Sequence, residues 1–199
     1  MAVATAKGSE SRQRILDAAT TAFSERGYVG TSLNDLIRLS GLTKGGFYFH
    51  FASKAELAVA VHEQGEAEIQ RQVLAAMGDS PRAIERLRGL VYGAFHKCDG
   101  PAMPALRRLC DELNTDEVDG LRLEPPYELW ASITTRLVAE ALAQGDVREG
   151  VDPASFALMA TSTFFGLLQS LHYDHVAMLT HYDAYVAFVF SALEPGAVE

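Results

Sequence analysis

The sequence predicts an all-α protein of about nine helices. Apolar residues recur at a spacing of three and four through most of its 199 residues. Glycine, proline and capping residues punctuate this pattern at intervals of one helix length. No stretch of useful length alternates apolar and polar residues as a strand would, and no internal repeat is visible.

The elements follow in order. "SRQRILDAATTAFSERG" places Ile15, Ala19, Ala22 and Phe23 on one face, with Ser11 as cap and Gly27 as stop. "TSLNDLIRLSG" offers Thr31 or Ser32 as cap, Leu33, Leu36 and Ile37 as the buried side, and Gly41 as terminator. A short third helix opens at Thr43. A fourth opens at Ser53, with Glu56 three residues on as a capping box, and runs to about Met77. Asp79-Ser80-Pro81 opens a fifth, broken by Gly100, Pro101 and Pro104, and a shorter helix spans about 106–113. "YELWASITTRLVAEALAQG" ends at Gly145. Asp152-Pro153 opens a helix reaching about His172, and the last spans roughly 178–193.

Composition fits a globular fold, with 48% hydrophobic and 22% charged residues. No apolar run resembles a signal peptide or reaches the ~18 residues of a membrane span, so a cytoplasmic protein is expected. Cys98 and Cys110 are too few for a disulfide scaffold and are expected to stay reduced. Net charge is −9 but unevenly spread. Residues 1–54 carry seven basic and four acidic residues, net +3, and the remainder ten and 22, net −12. Local charge, not the total, sets attraction to phosphate.

The stretch "GLTKGGFYFHFASKAEL" carries the functional signal. Three short helices and a long one, with a tight turn at Gly41, make a helix-turn-helix layout. The third helix of such a layout enters the major groove by its N-terminal end. Gly45 and Gly46 each cost about 1 kcal/mol in a helix. Their missing side chains would let that helix end approach a base edge or phosphate. Phe47 and Phe51, four apart, fit the core. Thr43, Tyr48, His50 and Lys54 carry groups suited to phosphate oxygens, and Lys44 can reach a base or a phosphate.

"RILDAATTAFSERGYVGTSLNDLIRLSGLTKGGFYFHFASKAELAVAV" resembles the DNA-binding domain of TetR-family regulators. The resemblance implies an all-α homodimer with an N-terminal three-helix head at 9–54. A ligand-binding and dimerisation domain would follow at 55–199, entered by a linking helix at about 53–77. It implies a repressor that leaves a palindromic operator on double-stranded DNA when a small-molecule inducer binds, with no enzyme activity, cofactor or membrane partner. By motif position, Thr31, Thr43, Lys44, Gly45, Tyr48, His50 and Lys54 match DNA-contacting positions. "TKGGFYFHFASKAELA" and the lone tryptophan in "PPYELWASI" are similar to the γ-butyrolactone-receptor subgroup, whose signals are small lactones or furans. A TetR-like sensor of a drug or fatty-acyl ligand is the alternative, and a small helical enzyme the remote one. The sequence shows no phosphate-binding glycine loop, nucleophile elbow or HExxH.

For the body, an apolar pocket with a few directed polar groups is expected. Trp130 would anchor it, with Tyr127, Leu87, Val91, Phe95, Met103, Leu106 and Phe165 around it. Gln64, Thr161, Thr163 and Gln169 supply polar groups, and Gly65 makes bending of the linking helix cheap. The last two helices are apolar on more than one face, which suits a dimer. His172, Asp174, His175, His181 and Asp183 cluster at a helix junction, where polar residues are expected without a metal.

Overall fold

The computed structural model describes residues 2–97, 103–115, 121, 123, 127–172 and 174–194, with the side chains of 2–7, 114, 115 and 175 outside that description. Among the described residues it has ten helices. They fall into two compact units, Met1–Glu68 with Gly100–Pro125, and Ile69–Asp99 with Pro126–Glu199.

The first unit contains α1 (Ala2–Arg26), α2 (Leu33–Ser40), α3 (Lys44–Tyr48), most of α4 (Lys54–Met77) and α6 (Met103–Thr115). Helix α1 begins well before Ser11, so Ser11 lies inside it and not at its cap. Its opening "AVATA" has no residue that would stop a helix earlier, and Ala is the strongest helix former. Ser32 caps α2 by accepting from the Asp35 N–H at 3.1 Å. Gly41 ends α2 in the left-handed region, at φ 67°. Ser53 accepts from the Glu56 N–H at 3.0 Å, and the Glu56 carboxylate reaches back to the Ala52 N–H at 2.7 Å. That reciprocal cap fixes the start of α4. The core gathers Ile15, Leu16, Phe23, Tyr28, Leu36, Phe47 and Phe51, all at most 2% exposed.

Helix α6 belongs to this same unit. Ala105, Leu109 and Leu113, four residues apart, form one stripe that is buried in the same core, and α6 packs on α1. Its Glu112 carboxylate accepts the Val29 N–H at 2.8 Å, across the turn that Gly27 makes at φ 73°.

The second unit contains the end of α4, α5 (Ala83–His96), α7 (Tyr127–Ala143), α8 (Pro153–Ser170), α9 (His175–Thr180) and α10 (Tyr182–Ser191). Asp152 caps α8, accepting from the Ser155 N–H at 2.8 Å, with Pro153 at the first helical position. The single last helix expected from sequence is two, broken at His181 and preceded by the Asp174 cap of α9. Leu87, Phe95, Leu137, Val138, Ala157 and Val189 are buried at its centre.

Candidate nucleic-acid interface and effector site

Helix α3 presents its functional side chains because two of its neighbours are nailed down. Phe47 and Phe51 are buried with ring centroids 6.4 Å apart, and the Arg12 guanidinium lies 5.0 Å over Phe51. With that face held, Lys44, Gly45 and Tyr48 fall on the exposed side. Thr43 caps the helix, its hydroxyl accepting the Gly46 N–H at 3.1 Å, so its oxygen is already committed to one bond. A Cβ built on Gly45 meets nothing within 4 Å, so the bare helix end is not required by packing in this chain. His50 is half-buried, edge-on to Phe49 with centroids 5.0 Å apart.

Two expected DNA contacts are placed differently. Thr31 is 1% exposed, and its hydroxyl donates to the Gly27 carbonyl at 2.7 Å. It locks the α1–α2 turn and offers no surface to a phosphate. The Lys54 ammonium donates to the carbonyls of Tyr28 and Thr31 at 3.0 and 3.1 Å and sits 4.0 Å over the Tyr28 ring. Its charge is spent inside the head. Sequence reasoning missed Phe49, which is 82% exposed beside Tyr48 at the end of α3. A large apolar ring held in water next to a recognition helix is an anomaly for packing and a fit for thymine methyl groups. The motif gives Phe47 and Phe51 to the core and Tyr48 to phosphate, and assigns Phe49 no role.

The expected effector residues divide between the two units. In the second, Leu87, Val91 and Phe95 are buried in one cluster with Ile133, Leu137 and Tyr185, and Trp130 packs partly buried against it. The Tyr127 and Phe165 rings meet at a tilt of 53°, 4.3 Å between centroids, and Thr161 is buried. The Tyr185 hydroxyl donates to the Ala160 carbonyl at 2.9 Å. Thr163 and Gln169 are exposed, the Thr163 hydroxyl bonding back to Met159 at 2.8 Å. Met103 and Leu106 belong to the first unit.

Gln64, expected to reach a ligand, is exposed. The buried stripe of α4 runs through Ala58, Val61, His62 and Gly65, and a residue two positions from His62 lies on the opposite side of the helix. The inward polar groups of α4 are therefore His62 and, one turn on, Glu66. The i, i+4 pairing of His and Glu on an apolar stripe was the available signal. Burial holds the Glu66 carboxyl up, to about 7, and pushes His62 below its usual range. Cys110 is buried and its thiol is pushed up to about 12 by burial, with the Glu66 charge adding to it. Cys98 lies outside the described residues. No group of three or more metal-ligating residues comes together among the described residues, and no helix among them is long and apolar enough to cross a membrane.

Residues 15–61 match the family of bacterial regulatory proteins described as the tetR family. A solved structure described as the molecular basis for control of antibiotic production by bacterial hormones superposes with a TM-score of 0.75 at 31% identity, covering 92% of this chain and 97% of that one. The chain belongs to the TetR family. A second TetR-like structure, a γ-butyrolactone receptor described as ArpA-like, matches with a TM-score of 0.68 at 27% identity over 96% and 91% of the two chains. The A-factor receptor protein of Streptomyces griseus is 26% identical over 164 residues, 81% of this chain. This TetR-family chain spans little over half the length of the curated relatives it matches first, 55% in the A-factor receptor. The matched family is one of bacterial regulatory proteins and not of enzymes.

Proposed function

We propose that the protein is a dimeric transcriptional repressor that binds a palindromic operator through α3 and is released by a small apolar signal of the γ-butyrolactone or furan type. The observation that carries the DNA part is the two-sided build of α3. Its buried face is fixed by Phe47 and Phe51, while Lys44, Gly45, Tyr48 and Phe49 stand together on the other. Lys44 and Tyr48 supply phosphate contacts and Phe49 the contact to bases, with Thr43 and His50 beside them. Support for the signal class comes from the likeness to the γ-butyrolactone and A-factor receptors.

Support for a dimer comes from α8 and α10, which expose Leu158, Met159 and Phe188, each more than 60% accessible. Large apolar side chains on adjacent helices are what a helix-on-helix interface consumes. A two-fold dimer would set two copies of α3 one DNA turn apart, about 34 Å, or a multiple of it. A signal lodged against Trp130, Thr161 and Phe165 would act through α4, which contributes residues to both units.

The test is a footprint of the protein on genomic DNA, followed by titration of an α-acyl-γ-butyrolactone against the operator complex. Protection of a palindrome that the lactone abolishes supports the reading. A monomer with no sequence-specific retention at moderate salt rejects it.

A further inference from the structure

Helix α5 carries two glycines in its interior, Gly89 and Gly93, four residues apart and so on one face. Glycine inside a helix weakens it relative to alanine, and neither position has the positive φ that would demand it. The reason lies in the end of α4, which belongs to the same unit. A Cβ built on Gly89 would stand 2.6 Å from the Ala76 carbonyl oxygen, 2.7 Å from that of Met77 and 2.8 Å from the Met77 Cα. One built on Gly93 would stand 2.9 Å from the Ala76 Cβ, 3.0 Å from the Val73 carbonyl oxygen and 3.1 Å from the Val73 Cα. All but the Ala76 Cβ are backbone atoms, and a methyl has no rotamer to escape by, so α4 itself would have to move. Val73 is 1% exposed in the core of this unit, and Gly78 ends α4 at φ 70°. The last turns of α4 are therefore seated backbone to backbone on α5. From that seat α4 runs as one helix back to Lys54.

We propose that Gly89 and Gly93 are positioning residues for the operator: the seat they form sets the tilt of α4, and through it the half-site spacing that the dimer accepts. This rests on the reading of the protein as a dimeric operator-binding repressor. The two glycines meet different turns of α4, Gly93 at Val73 and Gly89 at Met77. Ordinary van der Waals contact begins at 3.4 Å. Alanine at 89 must therefore lift Met77 by about 0.7 Å, and alanine at 93 must lift Val73 by about 0.4 Å. The two contacts are about 6 Å apart along α4, so a lift at one alone tips the helix by about 4–7°. Lys54 lies about 28 Å before Val73 along the helix, and its end swings by about 2–3 Å. The two swings have opposite senses, because alanine at 89 tips α4 about Val73 and alanine at 93 tips it about Met77. A swing of this size in each protomer is comparable with the ~3.4 Å rise of one base pair. Alanine at both sites lifts α4 nearly evenly, and most of the tilt cancels.

The test compares four full-length proteins: native, Gly89→Ala, Gly93→Ala and the double variant. Each is titrated with the palindrome that footprinting of the native protein yields and with a duplex carrying one half-site of it, and each is unfolded in urea. Either single variant is expected to bind the palindrome about tenfold less tightly, with half-site affinity within about twofold of native, because one head feels no spacing. The double variant is expected to return to within about threefold of native affinity for the palindrome, while its urea midpoint falls below that of both single variants. A merely structural role would make both losses accumulate. If Gly89→Ala does not fold, Gly93→Ala is the smaller intrusion and must still separate palindrome from half-site binding. Single variants that hold the palindrome as the native protein does, a half-site affinity that falls with it, or a double variant weaker than either single one overturns the seat and leaves the repressor reading standing. A native protein that prefers the palindrome no more than the half-site overturns both together.

Discussion

The ammonium of Lys54 lies 4.0 Å over the ring of Tyr28 and donates a 3.0 Å hydrogen bond to that residue's carbonyl oxygen. A third contact, to the Thr31 carbonyl at 3.1 Å, closes the arrangement. The turn between α1 and α2 leaves these carbonyls pointing at the start of α4, and the lysine ties the two together. Lys54→Met keeps the stem and removes the charge. It should destabilise the head by about 2 kcal/mol, the scale of charge-assisted hydrogen bonds together with a cation–π contact. The salt dependence of operator binding should stay as it is, because no phosphate contact is removed. Chemical denaturation and a salt titration of DNA affinity separate the two, and a reduced slope with unchanged stability would return Lys54 to the DNA surface.

Lys44 and Phe49 should divide affinity from specificity. Lys44 is exposed on α3. Lys44→Ala should weaken binding to operator and random DNA alike and lower the logarithmic salt slope by about 0.9, one phosphate's worth. Phe49→Ala removes an exposed ring that supports nothing in the core, so stability should not change. It should cost about 1–3 kcal/mol of preference for the operator over a site mismatched at one base pair, and leave random-DNA affinity where it was. Parallel titrations on both DNAs check this, and an equal loss on both would remove Phe49 from base contact.

The head was legible in the sequence because its signals are local. Ser32, Thr43 and Ser53 each cap the helix that follows them, and Gly41 closes α2 with the positive φ that its position demanded. What was not legible depends on contacts between distant segments. Thr31 and Lys54 look like DNA contacts by position, and only the folded turn shows where their donors go. Nothing in 103–115 announces that its apolar stripe completes the core around Phe23 and Tyr28, 80 residues earlier in the chain. Gln64 has the chemistry of a ligand contact but the wrong helix phase, and the phase of Ala58, Val61 and Gly65 points to His62 instead.

The bond from Val29 N–H to Glu112 joins α6 to the same turn that Lys54 ties to α4. Gly27 sits at its centre at φ 73°, and a Cβ built there would collide with the Glu112 carboxylate. Gly27→Ala should therefore cost more than the roughly 1 kcal/mol of left-handed strain alone. Glu112→Ala should cost about 1 kcal/mol, the net worth of one hydrogen bond. In the double variant the collision is gone, so the two losses should sum to more than the pair measures. Denaturation of the four proteins gives the coupling, and strict additivity would mean that Glu112 does not pack on Gly27.

Glu66 should make the protein less stable as pH rises toward neutrality. Burial raises its folded pKa from 4.5 to about 7, so the folded state holds a proton that the unfolded state has released. Stability is then complete below about pH 4.5 and falls as pH rises through 7, where the full separation is worth about 3 kcal/mol. His62 acts in the opposite sense. Its lowered folded pKa means the unfolded chain binds more protons below 6.5, so its contribution to stability rises with pH until that point. The native protein shows the difference of the two. Glu66→Gln removes the first and exposes the second: stability should climb from pH 5 to about 6.5 and then level. Measured against the native protein, the gain should grow between pH 5 and 7 and hold steady above. Urea denaturation at pH 5, 6, 7 and 8 reads both curves, and a gap that does not vary with pH would show that Glu66 is ionised in the folded protein throughout.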